Sequence, residues 1–273
     1  MSLPPLPGPF WLVGCGNMAG AMLARWLDCR IDRSLVTVIR PSGREVAGGV
    51  RVVTSYPESE APALVMLGTK PQKLDEVAPI LEPYIGPETV LISILAGTEL
   101  QSLRARFPRA RAILKTMPNL PVSLGKGVLN LFTDSRDAEA RALVETLMQA
   151  LGRTEWFEEE AQLQAAGILT GAGPAFLFRF IDALAEAAEA IGVPREKAAR
   201  LAEAMVEGAA MLAAFEAESP ARLAERVASP GGTTQAGLKV LDEEEALKRL
   251  VQGTLEAGLR RSRELAEAAR AAS

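Results

Sequence analysis

The stretch from Phe10 to Ala21 constrains the fold more than any other part of the sequence. An apolar run, Phe-Trp-Leu-Val, ends in the pattern Gly-x-Gly-x-x-Ala and continues into a segment with helical spacing. In such a strand–turn–helix the first glycine permits a tight turn, the second lets the backbone approach a pyrophosphate, and the third small residue packs the helix on the strand. The pattern predicts a dinucleotide site; the alternative is a glycine-rich turn in an ordinary α/β domain. The residues expected at the phosphates are Gly14, Cys15, Gly16, Asn17, Met18 and Ala19.

The residues after the second predicted strand (35–39) favour one cofactor over another. NAD-binding folds usually place Asp or Glu here, where it accepts hydrogen bonds from the ribose 2′-hydroxyl. This chain has Arg40, Pro41, Ser42 and Arg44 instead. Guanidinium groups and a hydroxyl suit a 2′-phosphate, so NADP(H) is expected in preference to NAD(H), which stays possible. The alternative is an exposed turn in which the arginines are solvated.

Further apolar and β-branched runs predict strands over 51–53, 63–68, 90–94, 112–114 and 128–132, and helical spacing predicts a helix over 137–151. In a doubly wound sheet the loops at the carboxyl ends of the strands line the ligand crevice. Ser55 is expected near the adenosine, and Ala96 and Gly97 would let a nicotinamide ring lie flat against the backbone. A third loop of this kind contains Gly68, Thr69, Lys70 and Pro71. Each of these is also an ordinary loop residue, so the argument depends on their recurrence after several strands.

The second half of the sequence has a different composition. From about Thr154 the strand-like runs stop, and helical spacing predicts helices over 174–191, 194–216, 221–227, 234–240 and 243–272. We therefore expect an α/β domain over 8–156 and an all-α domain over 157–273. The alanine-rich faces are unusually apolar for an isolated bundle, which predicts contact with another subunit.

The composition of the chain excludes several classes of catalytic mechanism and of partner. The chain has no histidine, which excludes Ser-His-Asp and Cys-His catalysis and His-ligated metals, whereas hydride transfer to an activated acceptor remains possible. The net charge of −4 gives no basic footprint for nucleic acid. Cys15 lies inside the glycine turn, so a reducing cytoplasm is expected rather than a disulfide with Cys29. We expect no signal peptide, and no membrane span in the uncharged run 161–178, which contains Gln, Gly and Pro.

A second candidate binding motif separates two predicted helices. Its sequence is Ser229-Pro230-Gly231-Gly232-Thr233-Thr234. Adjacent glycines followed by hydroxyl residues make an exposed helix start with free N–H donors, and such a start suits a carboxylate. An ordinary N-cap with a glycine hinge fits the same spacing. A further small-residue break, Thr170-Gly171-Ala172-Gly173-Pro174, is interpreted as a close packing point before a long helix.

Together these motifs resemble pyrroline-5-carboxylate reductase, the enzyme of the last step of proline biosynthesis. The resemblance runs nearly end to end, and its most specific element is the segment 229–234. It is carried by the residues 14–19, Lys70-Pro71, Met117-Pro118-Asn119, 170–175, Gly192-Val193-Pro194-Arg195 and 229–234.

The resemblance implies a Rossmann-type domain that binds NAD(P)H, with Arg40 to Ser42 near the 2′-phosphate and residues 68–71 near the nicotinamide. It also implies an interlocked helical homodimer, in some members arranged into larger rings, with the substrate at the dimer interface. Ser229 and the N–H groups around Gly231, Gly232 and Thr233 would hold the substrate carboxylate. Thr234 would hydrogen-bond the ring nitrogen as the catalytic residue, and Glu160 would face the substrate.

The chain departs from the family pattern at three points. Ala172 stands where Ser is usual, Leu120 where Thr is usual, and residues 242–247 replace a glycine-aromatic pair. The first two put substrate affinity in doubt. Three alternatives stay open: a reductase of a related cyclic imine acid, a β-hydroxyacid dehydrogenase, and a catalytically silent NADPH-binding regulator. The second would need a Lys on the helix 174–191, which has none.

Overall fold

An eight-stranded sheet forms the core of the first part of the chain, in the order β3-β2-β1-β4-β5-β6-β7-β8. The computed structural model describes the backbone of residues 3–271. Strands β1 to β6 are parallel, β7 is antiparallel to β6, and β8 is parallel to β7. The strands are β1 Phe10–Val13, β2 Val36–Ile39, β3 Arg51–Val53, β4 Leu64–Leu67, β5 Val90–Ser93, β6 Ala112–Met117, β7 Gly127–Phe132 and β8 Gly152–Trp156.

The register of the sheet aligns the ends of five parallel strands. Val13 is paired with Ile39 on one side and with Leu67 on the other. Ile39 is also paired with Val53, and Leu67 with Ser93. The five loops that follow these strands therefore leave the sheet side by side at one edge, which is where doubly wound sheets bind their ligands.

Both faces of the sheet are covered. Phe10 and Leu12 of β1 pack into one apolar cluster with Trp26, whereas Trp11 and Val13 pack into the cluster on the other face. A parallel sheet buried on both faces is typical of doubly wound α/β folds, so the predicted fold class is confirmed. The helices of this part are α1 Asn17–Asp28, α2 Leu74–Leu81, α3 Leu100–Arg106 and α4 Ala138–Gln149.

The rest of the described chain is helical. A π-helical turn, Ile168–Ala172, joins α5 to α6, and a 3-10 turn, Glu243–Glu245, precedes α10. The chain forms two compact units: residues up to Ala172 together with those from Leu259 onward, and Gly173–Gly258. These limits differ from the domain limits 8–156 and 157–273, which stay a prediction. The helices are α5 Glu160–Gly167, α6 Gly173–Ala190, α7 Arg195–Phe215, α8 Pro220–Arg226, α9 Thr233–Asp242 and α10 Ala246–Ala271.

The structure corrects the sequence interpretation at two elements. Strand structure does not stop at Thr154, because β8 continues to Trp156 as a neighbour of β7. Leu35 belongs to a 3-10 turn before β2. A Cβ built on Gly171 or on Gly173 meets no described atom within 4 Å, so the close packing point expected there stays a prediction. Ala272, the expected end of the last helix, lies outside the described residues.

Candidate functional site

The turn after β1 is closely packed against the loop after β4. Gly14 has φ +81°, and a Cβ there would lie 2.8 Å from Thr69 Cγ2 and 2.9 Å from the Thr69 nitrogen. Gly68 is equally restricted, because its Cβ would lie 2.9 Å from the Cβ of Ala19 and 2.9 Å from the Gly14 carbonyl oxygen. Ala19 is buried. Two glycines and one alanine thus bring the turn, the start of α1 and the β4 loop together.

Gly16 has the opposite environment. It is the N-cap of α1 with φ −80°, and a Cβ built on it meets no described atom within 4 Å. The cap makes no side-chain hydrogen bond, and the first turn of α1 contains no acidic residue. The first N–H groups of a helix have no partners within the helix and carry its positive dipole end. Gly16 and Asn17 are exposed, so this helix start is open to an anion.

Arg40 follows β2 and lies near the glycine turn, since the Gly14 N–H donates to the carbonyl oxygen of the preceding residue, Ile39. Burial raises the pKa of the Cys15 thiol, and the positive charge of Arg40 partly opposes that shift. Within the described chain, no carboxylate pairs with Arg40 or with Arg44. Pro41 and Ser42 are exposed in a turn closed by the Gly43 N–H, which donates to the Arg40 carbonyl oxygen at 3.1 Å. Ser55 is exposed just after β3.

The loops after β4 and β5 combine small residues with an unpartnered hydroxyl. Thr69 Oγ1 is buried, and no described group forms a hydrogen bond with it. Lys70 is exposed, and Pro71 begins a 3-10 turn. Ala96 and Gly97 are exposed, with Gly97 at φ +74°. The structure therefore brings the predicted cofactor residues to one edge of the sheet; their roles stay a prediction.

Glu160 makes contacts that the sequence does not indicate. Its Oε1 accepts a hydrogen bond from the Leu100 N–H at 2.9 Å and forms an ion pair with Lys115. The Lys115 side chain is 5% exposed and that of Glu160 is 22% exposed. Glu160 thus contacts the start of α3 and strand β6, and its expected contact with the substrate stays a prediction.

Residues 229–234 form a tight turn at the start of α9, in the second unit. The Gly232 N–H donates to the Ser229 carbonyl oxygen at 2.9 Å, and Gly231 has φ +72°. A Cβ on Gly232 would lie 2.5 Å from Ser229 Oγ, so both glycines are required for this turn. Gly232 caps α9 without a side-chain hydrogen bond. Ser229, Thr233 and Thr234 are exposed. The Gly231 N–H donates to Gln235 Oε1 at 2.7 Å, so the N–H groups that suit a carboxylate are those of the first turn of α9, from Thr233 onward.

A polar network that sequence reasoning missed joins two of the quoted motifs. Asn119 Nδ2 donates to the Thr170 carbonyl oxygen at 2.9 Å, and Asn130 Nδ2 donates to Thr170 Oγ1 at 2.7 Å. In an α-helix that carbonyl would accept from residue 174, but Pro174 has no N–H. Asn119 supplies the missing donor at the π-helical turn. The signal was present in the sequence as a proline four residues after Thr170.

The fold and the open helix start define a protein of the Rossmann class with a helical second part. The pyrroline-5-carboxylate reductase dimerisation family matches residues 160–265, which supports a homo-oligomer. Pyrroline-5-carboxylate reductase from Pseudomonas aeruginosa is 34% identical, over 93% of this chain and 96% of its own length. This chain belongs to the pyrroline-5-carboxylate reductase family.

Solved structures agree with that assignment. The structure of a pyrroline-5-carboxylate reductase from Coxiella burnetii has a TM-score of 0.86 and 29% identity, covering 95% of this chain and 99% of that one. The Plasmodium falciparum pyrroline carboxylate reductase, solved with NADP bound, has a TM-score of 0.82 at 22% identity. It covers 96% of this chain and 100% of that chain, and at this identity the likeness supports the fold alone.

Proposed function

We propose that this chain is a pyrroline-5-carboxylate reductase, which reduces the C=N bond of 1-pyrroline-5-carboxylate to give L-proline. The observation that carries the proposal is 34% identity to a named reductase over 93% of the chain. The segment 229–234 and the glycine turn are both intact within that length. The enzyme belongs to the NAD(P)H-dependent oxidoreductases that act on a CH–NH group.

The residues at the sheet edge fit NAD(P)H. Gly16 leaves its Cβ position open, Thr69 has a buried hydroxyl without a partner, and Arg40 has no carboxylate partner in the described chain. We assign the phosphates to the start of α1 and the 2′-phosphate of NADP(H) to Arg40, Pro41 and Ser42, with Ser55 near the adenosine. Because a guanidinium rather than a carboxylate follows β2, NADP(H) is preferred and NAD(H) is possible.

The reduction of an imine needs few catalytic side chains. When bound, the reduced cofactor supplies a hydride for the imine carbon. We assign the substrate carboxylate to Ser229 and to the N–H groups around Gly231, Gly232 and Thr233, which would fix the ring in one orientation. Of these donors, the Thr233 N–H is the one without a partner in the described chain, because the Gly231 N–H donates to Gln235 Oε1 at 2.7 Å and the Gly232 N–H donates to the Ser229 carbonyl oxygen. The Thr234 hydroxyl hydrogen-bonds the ring nitrogen and helps a proton from water reach it before the carbon is reduced. A protonated imine is already a good acceptor, so this chain needs neither a histidine nor a metal.

The second unit is assigned to association with further copies of the chain. The helical stretch Glu160–Ala190 is long and apolar enough to cross a membrane, and none of its most apolar window is buried. We propose that this surface packs on a second copy rather than in a membrane, because the dimerisation family matches residues 160–265. The proposal is a cytoplasmic homodimer or a ring of dimers, with domain limits 8–156 and 157–273 and no nucleic-acid partner.

A single assay tests the activity. Oxidation of NADPH is followed by absorbance with pyrroline-5-carboxylate, then with NADH in place of NADPH. The proposal expects L-proline to form in step with cofactor oxidation, faster with NADPH. Binding of NADPH without oxidation would instead identify a silent regulator. Oxidation only with another cyclic imine acid would move the substrate assignment to that compound.

A further inference from the structure

Glu160 and Lys115 lie outside the residues that the proposed chemistry uses. Glu160 nevertheless contacts α3, the element that follows the loop at Ala96 and Gly97, and Lys115 pairs with Glu160. We infer that Glu160, held by Lys115, is a positioning residue that fixes the loop at Ala96 and Gly97 for the nicotinamide end of the cofactor. The inference rests on the proposed function for the identity of the cofactor. It replaces the substrate contact expected for Glu160 by a structural one.

The loop concerned has anchored ends and an exposed tip. Leu95 and Thr98 are buried, whereas Ala96 and Gly97 are exposed. The Leu95 N–H donates to Ser93 Oγ at 3.3 Å, which fastens the loop to the end of β5. Three residues after Gly97 the chain enters α3 at Leu100. With so short a connection, the position of the tip depends on how the start of α3 is held.

Glu160 holds that helix start. Its Oε1 accepts the Leu100 N–H at 2.9 Å. The N-cap residue of α3, Glu99, makes no side-chain capping hydrogen bond, so the cap comes from a residue sixty positions further along the chain. A carboxylate at a helix N-terminus satisfies a free N–H and interacts favourably with the helix dipole.

Lys115 fixes the carboxylate in turn. It lies on β6, its side chain is 5% exposed, and its ammonium group pairs with the same oxygen of Glu160 that caps α3. A buried ammonium group needs such a partner, because an unpaired charge in the interior is costly. The carboxylate is therefore held between a central strand and a helix start, which restricts its movement toward any ligand.

Three variants separate positioning from substrate contact. Glu160→Leu removes both the cap and the ion pair. The double variant Glu160→Gln, Lys115→Met keeps an oxygen that can accept the Leu100 N–H and leaves no unpaired charge. Glu159→Gln is the matched control, since Glu159 is exposed and its side chain caps nothing. The measurements are the NADPH Kd without substrate, hydrogen exchange at the Leu100 amide, and the KM for the imine.

We expect Glu160→Leu to raise the NADPH Kd roughly tenfold, about the effect of losing one charge-assisted hydrogen bond, and to speed exchange at Leu100. The NADPH Kd of the double variant and of the control should stay within about threefold of the value for the unmodified protein. An unchanged NADPH Kd or unchanged exchange at Leu100 in Glu160→Leu overturns the inference. So does a rise in imine KM alone in both Glu160 variants. If the unmodified protein binds NADPH but does not oxidise it, the proposed function fails while this comparison still stands.

Discussion

Arg40 is the residue on which the choice of cofactor depends. It is half-buried beside the glycine turn, and no carboxylate in the described chain neutralises it. If it binds the 2′-phosphate, Arg40→Ala should raise the KM for NADPH by roughly 10- to 100-fold, which corresponds to a charged hydrogen bond of about 1.5–3 kcal/mol. The KM for NADH should change little.

Steady-state kinetics with both cofactors measure this difference. Arg153→Ala is a suitable control, because Arg153 is an exposed residue of β8 at the other end of the sheet from β2 and β3. An equal loss with NADPH and NADH would assign Arg40 to the common part of the cofactor or to folding.

Thr234 is the residue assigned to the reacting nitrogen. It lies in the first turn of α9 and is exposed in the described chain. Thr234→Ala should lower kcat roughly 100-fold, the lower range for a positioned proton-transfer group, while the NADPH Kd is retained. Thr234→Ser keeps the hydroxyl and should recover most of the rate. Single-turnover kinetics with a parallel NADPH titration check both values, and unchanged turnover in the alanine variant would remove Thr234 from the mechanism.

The glycine turn shows, at the scale of one element, how two glycines of one motif serve different purposes. Gly14→Ala forces a side chain into positive φ and into contact with Thr69, so it should lower the free energy of unfolding by about 1–3 kcal/mol. Gly16→Ala meets no described atom within 4 Å and has φ −80°. It should leave Tm nearly unchanged and still weaken NADPH binding, because the methyl group occupies the approach of the phosphates.

Thermal unfolding and NADPH titration of both variants test this distinction. The two substitutions add the same methyl group two residues apart, so each is the control for the other. A clear loss of Tm in Gly16→Ala would mean that its open space is filled in the folded protein.

The turn between α9 and α10 contains strained backbone. Glu244 and Glu245 have φ of +47° and +57°, within the segment 242–247 that replaces the glycine-aromatic pair expected from the family pattern. Glu244→Gly should therefore stabilise the protein by about 0.5–1 kcal/mol. The substitution also removes the ion pair between Glu244 and Arg249, but that pair is exposed and contributes little to stability. Glu243→Gly is the control, since Glu243 has φ −56°, and it should not raise Tm.

The sequence predicted the elements whose signal is local and missed those that depend on distant partners. Strands β1 and β2 are continuous buried runs, and the pattern identified them with their glycine and arginine loops. Strand β8, Gly-Arg-Thr-Glu-Trp, alternates half-buried and exposed residues at a sheet edge, which resembles a polar loop. The contact of Glu160 with Leu100 spans sixty residues, and no spacing rule indicates it. Pro174 was a local signal that the Thr170 carbonyl oxygen would lack its helical donor. The group that supplies the hydrogen bond, the side-chain amide of Asn119, lies on another element and could not be found from that signal.

On the scale of the whole molecule, the second unit lacks a core of its own. Between Gly173 and Gly258, the buried apolar side chains of the described structure are those of Ala198 and Ala202. Helix α6 exposes Phe176, Leu177, Phe178 and Phe180, and consecutive positions cannot share one face of a helix. A helix that is apolar on several sides is normally buried. Residues 160–265 match a dimerisation family, so the partner that buries this apolar helix is another copy of the chain.

Phe178→Glu tests that arrangement, because it places a charge on a side chain that is 60% exposed in one chain and would be buried in an oligomer. An unpaired charge at such an interface should cost several kcal/mol, so the variant should dissociate at micromolar concentration and unfold at a lower, concentration-dependent Tm. Light scattering and sedimentation measure the mass. Ile80→Glu is the matched control: Ile80 is also 60% exposed, but it lies on α2 in the first unit, so that variant should keep the mass of the unmodified protein. Two results would mean that α6 does not form the interface. One is an unmodified protein that is monomeric at micromolar concentration, and the other is a Phe178→Glu variant of unchanged mass.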